Sequence, residues 1–180
     1  MGCSVIISMV LRARRSTVGL LSEAIHDWAL ALEHRSSVHS LFLHLAKAFD
    51  SVPHYHLLLR LDLLGIRDDL LNWFQVFLTC WRQRVVINGQ TSDWLNVCSG
   101  VPQGSVLAPL LFILYIYDLH HSVTNSTLKF FADDVTIYKV VTNGSDCDLL
   151  QEDLCRISER TVVWQVRLNP GKCEVLNITN

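Results

Sequence analysis

Hydrophobic residues along this chain follow two periods, one typical of helices and the other typical of strands. After residue 17, apolar side chains recur at helical spacing, which predicts an amphipathic helix. The residues expected on its buried face are Val18, Leu21, Ile25, Trp28, Ala29 and Leu32. The run Val38–Leu45 predicts a largely buried strand. Pro53 suits the first turn of a helix that stops at Gly65, and another helix is expected after Asp68.

The middle of the chain is marked by a turn signal and a long apolar run. Asn88-Gly89 lies between two short runs and is the dipeptide most typical of a tight β-hairpin. A loop at residues 100–105 leads into Val106–Tyr117, the most apolar stretch of the chain. Because this stretch is too short to span a bilayer, it predicts a buried helix that continues to about Leu119.

The last third predicts a hairpin, a helix and a strand. Two β-prone runs in Leu128–Tyr138 flank Asp133 and Asp134, which places both acids where the chain reverses. A capped helix follows at residues 143–164, and a final strand at residues 173–178. Helices that alternate with few strands predict an α+β fold, with helices packed on one face of a small antiparallel sheet.

Composition narrows the function classes. Half of the 180 residues are hydrophobic, which is enough for one domain with a substantial core and excludes disorder as the main state. The net charge is −2, whereas proteins that bind duplexes are usually more basic, so any nucleic-acid role depends on local patches. The six cysteines show neither zinc-knuckle nor disulfide spacing. With no signal peptide or membrane span recognisable, we expect an intracellular protein that is not secreted.

The adjacent acids Asp133 and Asp134 are candidate metal ligands. Two neighbouring carboxylates repel each other unless a cation or a proton lies between them, and hard oxygen ligands favour Mg²⁺ or Mn²⁺. Chance alone, however, supplies about one Asp-Asp pair in a chain of this composition, and Asp68-Asp69 is such a pair. A solvated turn therefore remains the alternative for the pair taken by itself.

Four stretches together resemble the reverse transcriptases of non-LTR (LINE-like) retrotransposons, over nearly all of residues 12–178. In order they read Leu-Ala-Lys-Ala-Phe-Asp-Ser-Val-Pro-His (45–54), Ser-Gly-Val-Pro-Gln-Gly-Ser-Val-Leu-Ala-Pro-Leu-Leu-Phe (99–112), Phe-Ala-Asp-Asp (131–134) and Leu-Asn-Pro-Gly-Lys-Cys (168–173). We call them the first to fourth motifs. The resemblance implies a right-hand polymerase palm with part of its fingers over residues 12–180, without a thumb, after a non-matching segment at residues 1–11.

The resemblance also implies a chemistry. Reverse transcriptases extend a DNA primer on an RNA template from deoxynucleoside triphosphates, by phosphoryl transfer at two divalent metal ions, Mg²⁺ or Mn²⁺. Asp133 and Asp134 match two of the three carboxylates that hold these metals. Lys172 matches the lysine of the fourth motif, a proton donor to pyrophosphate, although an ordinary solvated lysine is the alternative.

Five further residues match positions at which the family contacts nucleotides. Phe49 matches the aromatic residue that closes against a ribose 2′-hydroxyl, and Gln103-Gly104 match the loop that touches the incoming nucleotide and the template. Arg12 and Arg15 match basic fingers residues, for which a triphosphate contact is reasonable. Structural roles remain open as alternatives: core packing for Phe49, a helix cap for Gln103 and a solvated helix entry for the arginines.

One departure from the family pattern bears on activity. The carboxylate of the first motif stands five residues before the Phe, and this chain has His44 there. Imidazole is a poor ligand for Mg²⁺ and adds no negative charge, so metal affinity should fall. Asp50, about 20 Å further along an extended chain, is not expected to replace the missing ligand. The sequence thus predicts an impaired polymerase, with a non-catalytic nucleic-acid-binding remnant or a translated fossil without selected function as alternatives.

Overall fold

The computed structural model describes residues 17–131 and 134–179. Its helices are α1 (Thr17–Glu33), α2 (Ala48–Ser51), α3 (His54–Leu63), α4 (Asp68–Thr79), α5 (Ala108–Ile116) and α6 (Gly144–Val163), with 3₁₀ turns at Tyr117–Ser122 and Pro170–Lys172. Its strands are β1 (Ser37–His44), β2 (Arg82–Gln83), β3 (Val86–Ile87), β4 (Gln90–Thr91), β5 (Leu95–Asn96), β6 (Thr127–Phe131), β7 (Asp134–Val141) and β8 (Glu174–Ile178). The chain divides into two compact units, the first formed by Met1–Ala46 with Tyr117–Asn180 and the second by Lys47–Ile116.

The first unit is built on an antiparallel sheet of four strands in the order β6-β7-β1-β8. Helix α1 packs on one face of this sheet, where the small side chains of Ala24 and Ala31 meet Val38 and Tyr138. The Tyr138 hydroxyl donates a 2.6 Å hydrogen bond to the Asp27 carboxylate. Burial of the ring, reinforced by this carboxylate, raises the pKa of Tyr138 well above its ordinary range.

Helix α6 covers the opposite face of the sheet, so helices pack on both faces and not on the one face that the sequence predicted. Its start is fixed by a capping box, in which Asn143 accepts from the Ser145 backbone N–H and Asp146 bonds back to the Asn143 backbone N–H. Near this end the Cys147 thiol lies 3.9 Å from the His39 ring. The capped helix predicted for residues 143–164 is thereby confirmed, and Trp164 forms its C-cap.

The second unit is mainly helical. Helix α3 packs against α4 and α5, and apolar side chains of all three helices are buried, among them Leu57, Leu61, Phe74, Leu78, Leu111 and Phe112. The predicted hairpin at Asn88-Gly89 is present, with Ile87 paired to Gln90 and positive φ angles of 49° and 80° at the two turn residues. Strands β2 and β5 extend the same ribbon.

Two further details of the predicted pattern are wrong. Val18, Leu21 and Ile25 are exposed on α1, because the helix turns its small residues toward the sheet, where they allow close approach. Asp134 is not a turn residue: it begins β7 and pairs with Phe131 and His44. Asp133 lies outside the described residues. None of the helices among the described residues is long and apolar enough to cross a membrane.

A buried carboxylate ties α6 to the loop before β6. Asp153 is fully buried and accepts hydrogen bonds of 3.0 Å from the backbone N–H groups of Thr124 and Asn125, and it also pairs with Arg156. Burial alone would raise the pKa of Asp153, but these hydrogen bonds outweigh it and hold the pKa below its usual range. The ionised form of Asp153 therefore stabilises the first unit.

We expect Asp153→Asn to lower the free energy of unfolding by about 1–3 kcal/mol, because buried donors lose their charged acceptor. With a depressed folded pKa, the stabilisation is present above the ordinary pKa of an Asp and is lost as the pH falls through the folded value. In urea unfolding at several pH values, the difference in free energy of unfolding between wild type and variant should become smaller as the pH falls. Asp148→Asn, at an exposed position on the same helix, is the control; an equal loss there would contradict the role of Asp153.

Candidate active site

The candidate site of the first unit lies where β1 ends beside the start of β7. His44, the last residue of β1, pairs directly with Asp134, the first residue of β7. Directly opposed residues of an antiparallel pair point to the same face of the sheet, with Cα atoms about 4.5–5.5 Å apart. The imidazole of the residue just before the first motif therefore lies beside a carboxylate of the third motif.

The fourth motif is fastened to the same end of β1 by backbone hydrogen bonds. The Asn169 N–H donates to the His44 carbonyl at 2.8 Å, and the Ala46 N–H donates to the Arg167 carbonyl at 2.7 Å. In addition, the Cys173 sulfur accepts from the His44 backbone N–H at 3.4 Å. The 3₁₀ turn that carries Lys172 is thus held against β1, and its position does not depend on the side chain at 44.

An open cavity of about 380 Å³ collects these residues. Its lining residues are Phe42, Leu43, His44, Asp134, Val135, Thr136, Lys172 and Glu174. Glu174 was missed by sequence reasoning. Glu174 pairs with Phe42 across β8 and β1. Because Phe42 stands two positions before His44 on β1, the Glu174 side chain lies on the same face of the sheet as His44 and Asp134. The signal was present in the sequence, since an acid two residues after Lys172 stands on the expected last strand.

The ligand set that a divalent metal requires is not complete among the described residues. His44 presents a buried Nδ1 without a hydrogen-bond partner among residues 17–131 and 134–179. Within the same residues, no three His, Cys, Asp or Glu side chains gather closely enough to hold a metal ion. Imidazole is a poor ligand for Mg²⁺ and adds no negative charge, so Asp134 with His44 does not fit Mg²⁺. Asp133, Arg12 and Arg15 lie outside the described part of the chain.

In the second unit, the loop of the second motif rests on α2, which carries the end of the first motif. The Val101 N–H donates to the Phe49 carbonyl and the Gly100 N–H to the Val52 carbonyl, both at 2.7 Å. Gly100 has φ +89°, and a Cβ placed on it would lie 2.8 Å from both the Phe49 carbonyl oxygen and the Asp50 Cα. Only glycine permits this close approach of the two backbones.

The predicted nucleotide contacts of the second unit lie on this junction. The Gln103 side chain donates to the Asp50 carboxylate at 2.7 Å, and Gly104 follows with φ +81° in open space. The alternative that Gln103 caps the next helix is wrong, because the Ser105 hydroxyl accepts from the Ala108 N–H. Phe49 is half-buried, and its ring centroid lies 5.0 Å from that of Phe112. The Phe49 ring therefore has a packing role against Phe112, beside the predicted nucleotide contact.

These motifs agree with comparisons to known proteins. The sequence profile of "Reverse transcriptase (RNA-dependent DNA polymerase)" matches residues 8–179. The chain belongs to the reverse transcriptase family. It is 32% identical over 166 residues to the probable RNA-directed DNA polymerase of the Drosophila melanogaster transposon X-element, covering 89% of this chain and 18% of that protein. It is also 32% identical over 180 residues to the RNA-directed DNA polymerase of the Drosophila funebris mobile element jockey, covering 94% and 19%.

The chain therefore spans about a fifth of the length of these curated relatives. The predicted kinship with reverse transcriptases of non-LTR retrotransposons is confirmed. Reverse transcriptases generally use divalent metal ions. Which residues of this chain serve the site stays a prediction.

Solved structures support the fold. Apo telomerase from Candida tropicalis, truncated from its C-terminal domain, superposes with a TM-score of 0.66 at 14% identity, covering 90% of this chain and 35% of that one. Telomerase from Candida albicans, solved with a TWJ fragment of telomeric RNA, gives a TM-score of 0.64 at 15% identity, covering 89% and 31%. The predicted α+β, palm-like fold is confirmed.

The close approach at Gly100 leads to a prediction about stability. Gly100→Ala and Gly104→Ala both place a Cβ on a backbone of positive φ, but only the Cβ at position 100 meets neighbouring atoms. We expect Gly100→Ala to cost about 1–3 kcal/mol more than Gly104→Ala, because the junction between the two motifs must move apart. Urea unfolding followed by tryptophan fluorescence measures the difference. Equal losses would show that the contact is not required.

Proposed function

We propose that this chain is an RNA-directed DNA polymerase domain whose catalytic centre is impaired at His44. The observation that carries the proposal is the direct pairing of His44 with Asp134 across β1 and β7. In the family this position of the first motif supplies a carboxylate, and here it presents an imidazole. Asp133 and Asp134 remain as the proposed ligands of Mg²⁺ or Mn²⁺, and one negative charge is missing from the site.

The missing charge matters because the reaction depends on electrostatics. In phosphoryl transfer the protein mainly positions the reactants and neutralises developing charge. The affinity of a site for a divalent cation depends on the sum of the charges of its ligands. Near a protein surface, the Coulomb attraction between two opposite unit charges 4 Å apart is about 4 kcal/mol. Glu174 lines the same cavity, but it is exposed and does not complete a three-ligand group with the other described residues.

The proposed partners are an RNA template, a DNA primer and deoxynucleoside triphosphates. Phe49, Gln103, Gly104, Arg12 and Arg15 are the proposed nucleotide-binding residues, and Lys172 is the proposed proton donor to pyrophosphate. Two observations support this assignment. Lys172 lines the cavity that holds Asp134, and the amide of Gln103 is oriented by Asp50 on the surface of the second unit.

A second candidate function is non-catalytic binding of an RNA–DNA duplex. It is favoured by the way β1, β7 and the fourth motif are joined through backbone hydrogen bonds, which a histidine at position 44 leaves in place. We expect the wild-type chain to retain a labelled RNA–DNA duplex on a filter, with affinity that falls as salt rises. Absence of salt-dependent retention would exclude this function.

The metal argument is tested by restoring the carboxylate. We expect His44→Asp to raise Mn²⁺ affinity at least about tenfold, because an added negative charge faces Asp134. Isothermal titration with Mn²⁺ measures the binding, and primer extension on an RNA template with Mg²⁺ or Mn²⁺ measures the activity. The same variant should extend a primer faster than the wild type.

His44→Asn is the matched control, since it removes the imidazole without adding charge. It should bind Mn²⁺ no better than the wild type. A wild-type chain that extends a primer as fast as His44→Asp would overturn the proposed impairment.

A further inference from the structure

The ribbon of the second unit carries a surface that none of the four motifs includes. Residues 81–96 are all exposed, and they contain the paired strands β2 with β5 and β3 with β4. Arg82, Arg84 and Trp94 lie together on this ribbon, and we call them the arginine–tryptophan surface. The guanidinium carbon of Arg84 lies 4.7 Å from the centroid of the Trp94 ring, and that of Arg82 lies 5.9 Å from it.

The charge of this surface is not neutralised within the described part of the chain. Neither Arg82 nor Arg84 forms an ion pair with any residue among 17–131 and 134–179. The ribbon contains one acid, Asp93, against the two arginines. The guanidinium groups are oriented by the indole instead, through cation–π contact, and remain open to solvent. A ligand that pairs with these guanidinium groups is therefore expected to be anionic.

The indole adds a second requirement. Trp94 is 50% exposed although it is the largest kind of apolar side chain, so a large part of this residue faces solvent. An exposed aromatic ring beside unpaired arginines suits single-stranded nucleic acid, because unpaired bases stack on aromatic rings while arginines contact the phosphates. A duplex keeps its bases stacked on one another and could use only the charges.

We propose that the arginine–tryptophan surface binds single-stranded RNA or DNA, with a base stacked on Trp94 and phosphates contacted by Arg82 and Arg84. This site extends the nucleic-acid role proposed above, and it can fail while that role stands. It needs no metal ion, because it includes none of the proposed metal ligands.

The experiment uses fluorescence anisotropy of the full chain with labelled oligouridylate, oligothymidylate and an abasic DNA strand of equal length. We expect Trp94→Ala to weaken binding of the base-containing strands about 5- to 100-fold and to leave the abasic strand nearly unaffected. Trp94→Phe should restore most of the affinity. Arg84→Ala should weaken all three strands and reduce the salt dependence by about 0.7 in the log–log slope. Comparing the first two strands separates RNA from DNA.

Trp73→Ala is the matched control. Trp73 is 49% exposed in the same unit and stacks on Phe77 at 5.3 Å, with no guanidinium over its ring among the described residues. Its removal should leave binding unchanged. The proposal is overturned if Trp94→Ala and Trp73→Ala have equal effects, if the abasic strand is as sensitive to Trp94→Ala as the others, or if polyglutamate competes as well as oligouridylate. Retained binding of an RNA–DNA duplex in that case would leave the proposed function intact.

Discussion

The register of β1 between β7 and β8 is the constraint on which the candidate site depends. Because side chains alternate between the two faces of a strand, a slip of one residue would turn His44 away from Asp134 and would move Val38 and Ser40, which are fully buried, to the other face of the sheet. The register is enforced from both sides, by eight paired positions with β7 and five with β8. The burial of Val38 and Ser40 therefore determines that His44, at the other end of β1, lies beside Asp134.

Sequence reasoning found those parts of the fold that are encoded locally. The Asn88-Gly89 turn, the capping box at Asn143 and the helix that stops before Gly65 each depend on a few neighbouring residues with defined dihedral preferences. The motifs likewise marked His44, Asp134 and Lys172, which line one cavity. Their positions in the chain were readable because the family resemblance supplied the spacing.

Features that depend on partners distant in the chain were not readable. The exposed face of α1 could not be chosen from periodicity, because a stripe that contains Ala24 and Ala31 is less apolar than the stripe with Leu21 and Ile25. The buried face of α1 is determined by the fit of its small residues against Val38 and Tyr138, and this fit is visible only in the folded structure. Glu174 joins the site only through the pairing of β8 with β1, and the close approach at Gly100 appears only when the second motif meets α2.

At position 44 the backbone holds the elements of the site together, whereas the side chain faces Asp134. The hydrogen bonds that hold the site together at His44 use its backbone N–H and carbonyl, which any residue provides. A histidine there leaves one buried ring nitrogen without a partner among the described residues, a cost of about 1–3 kcal/mol, whereas the sheet pairing is kept. The proposed loss of a metal ligand at His44 is therefore compatible with a folded domain. Since nucleic-acid contact through arginines and aromatic rings requires no metal ligand, the proposed binding does not depend on the proposed catalytic centre.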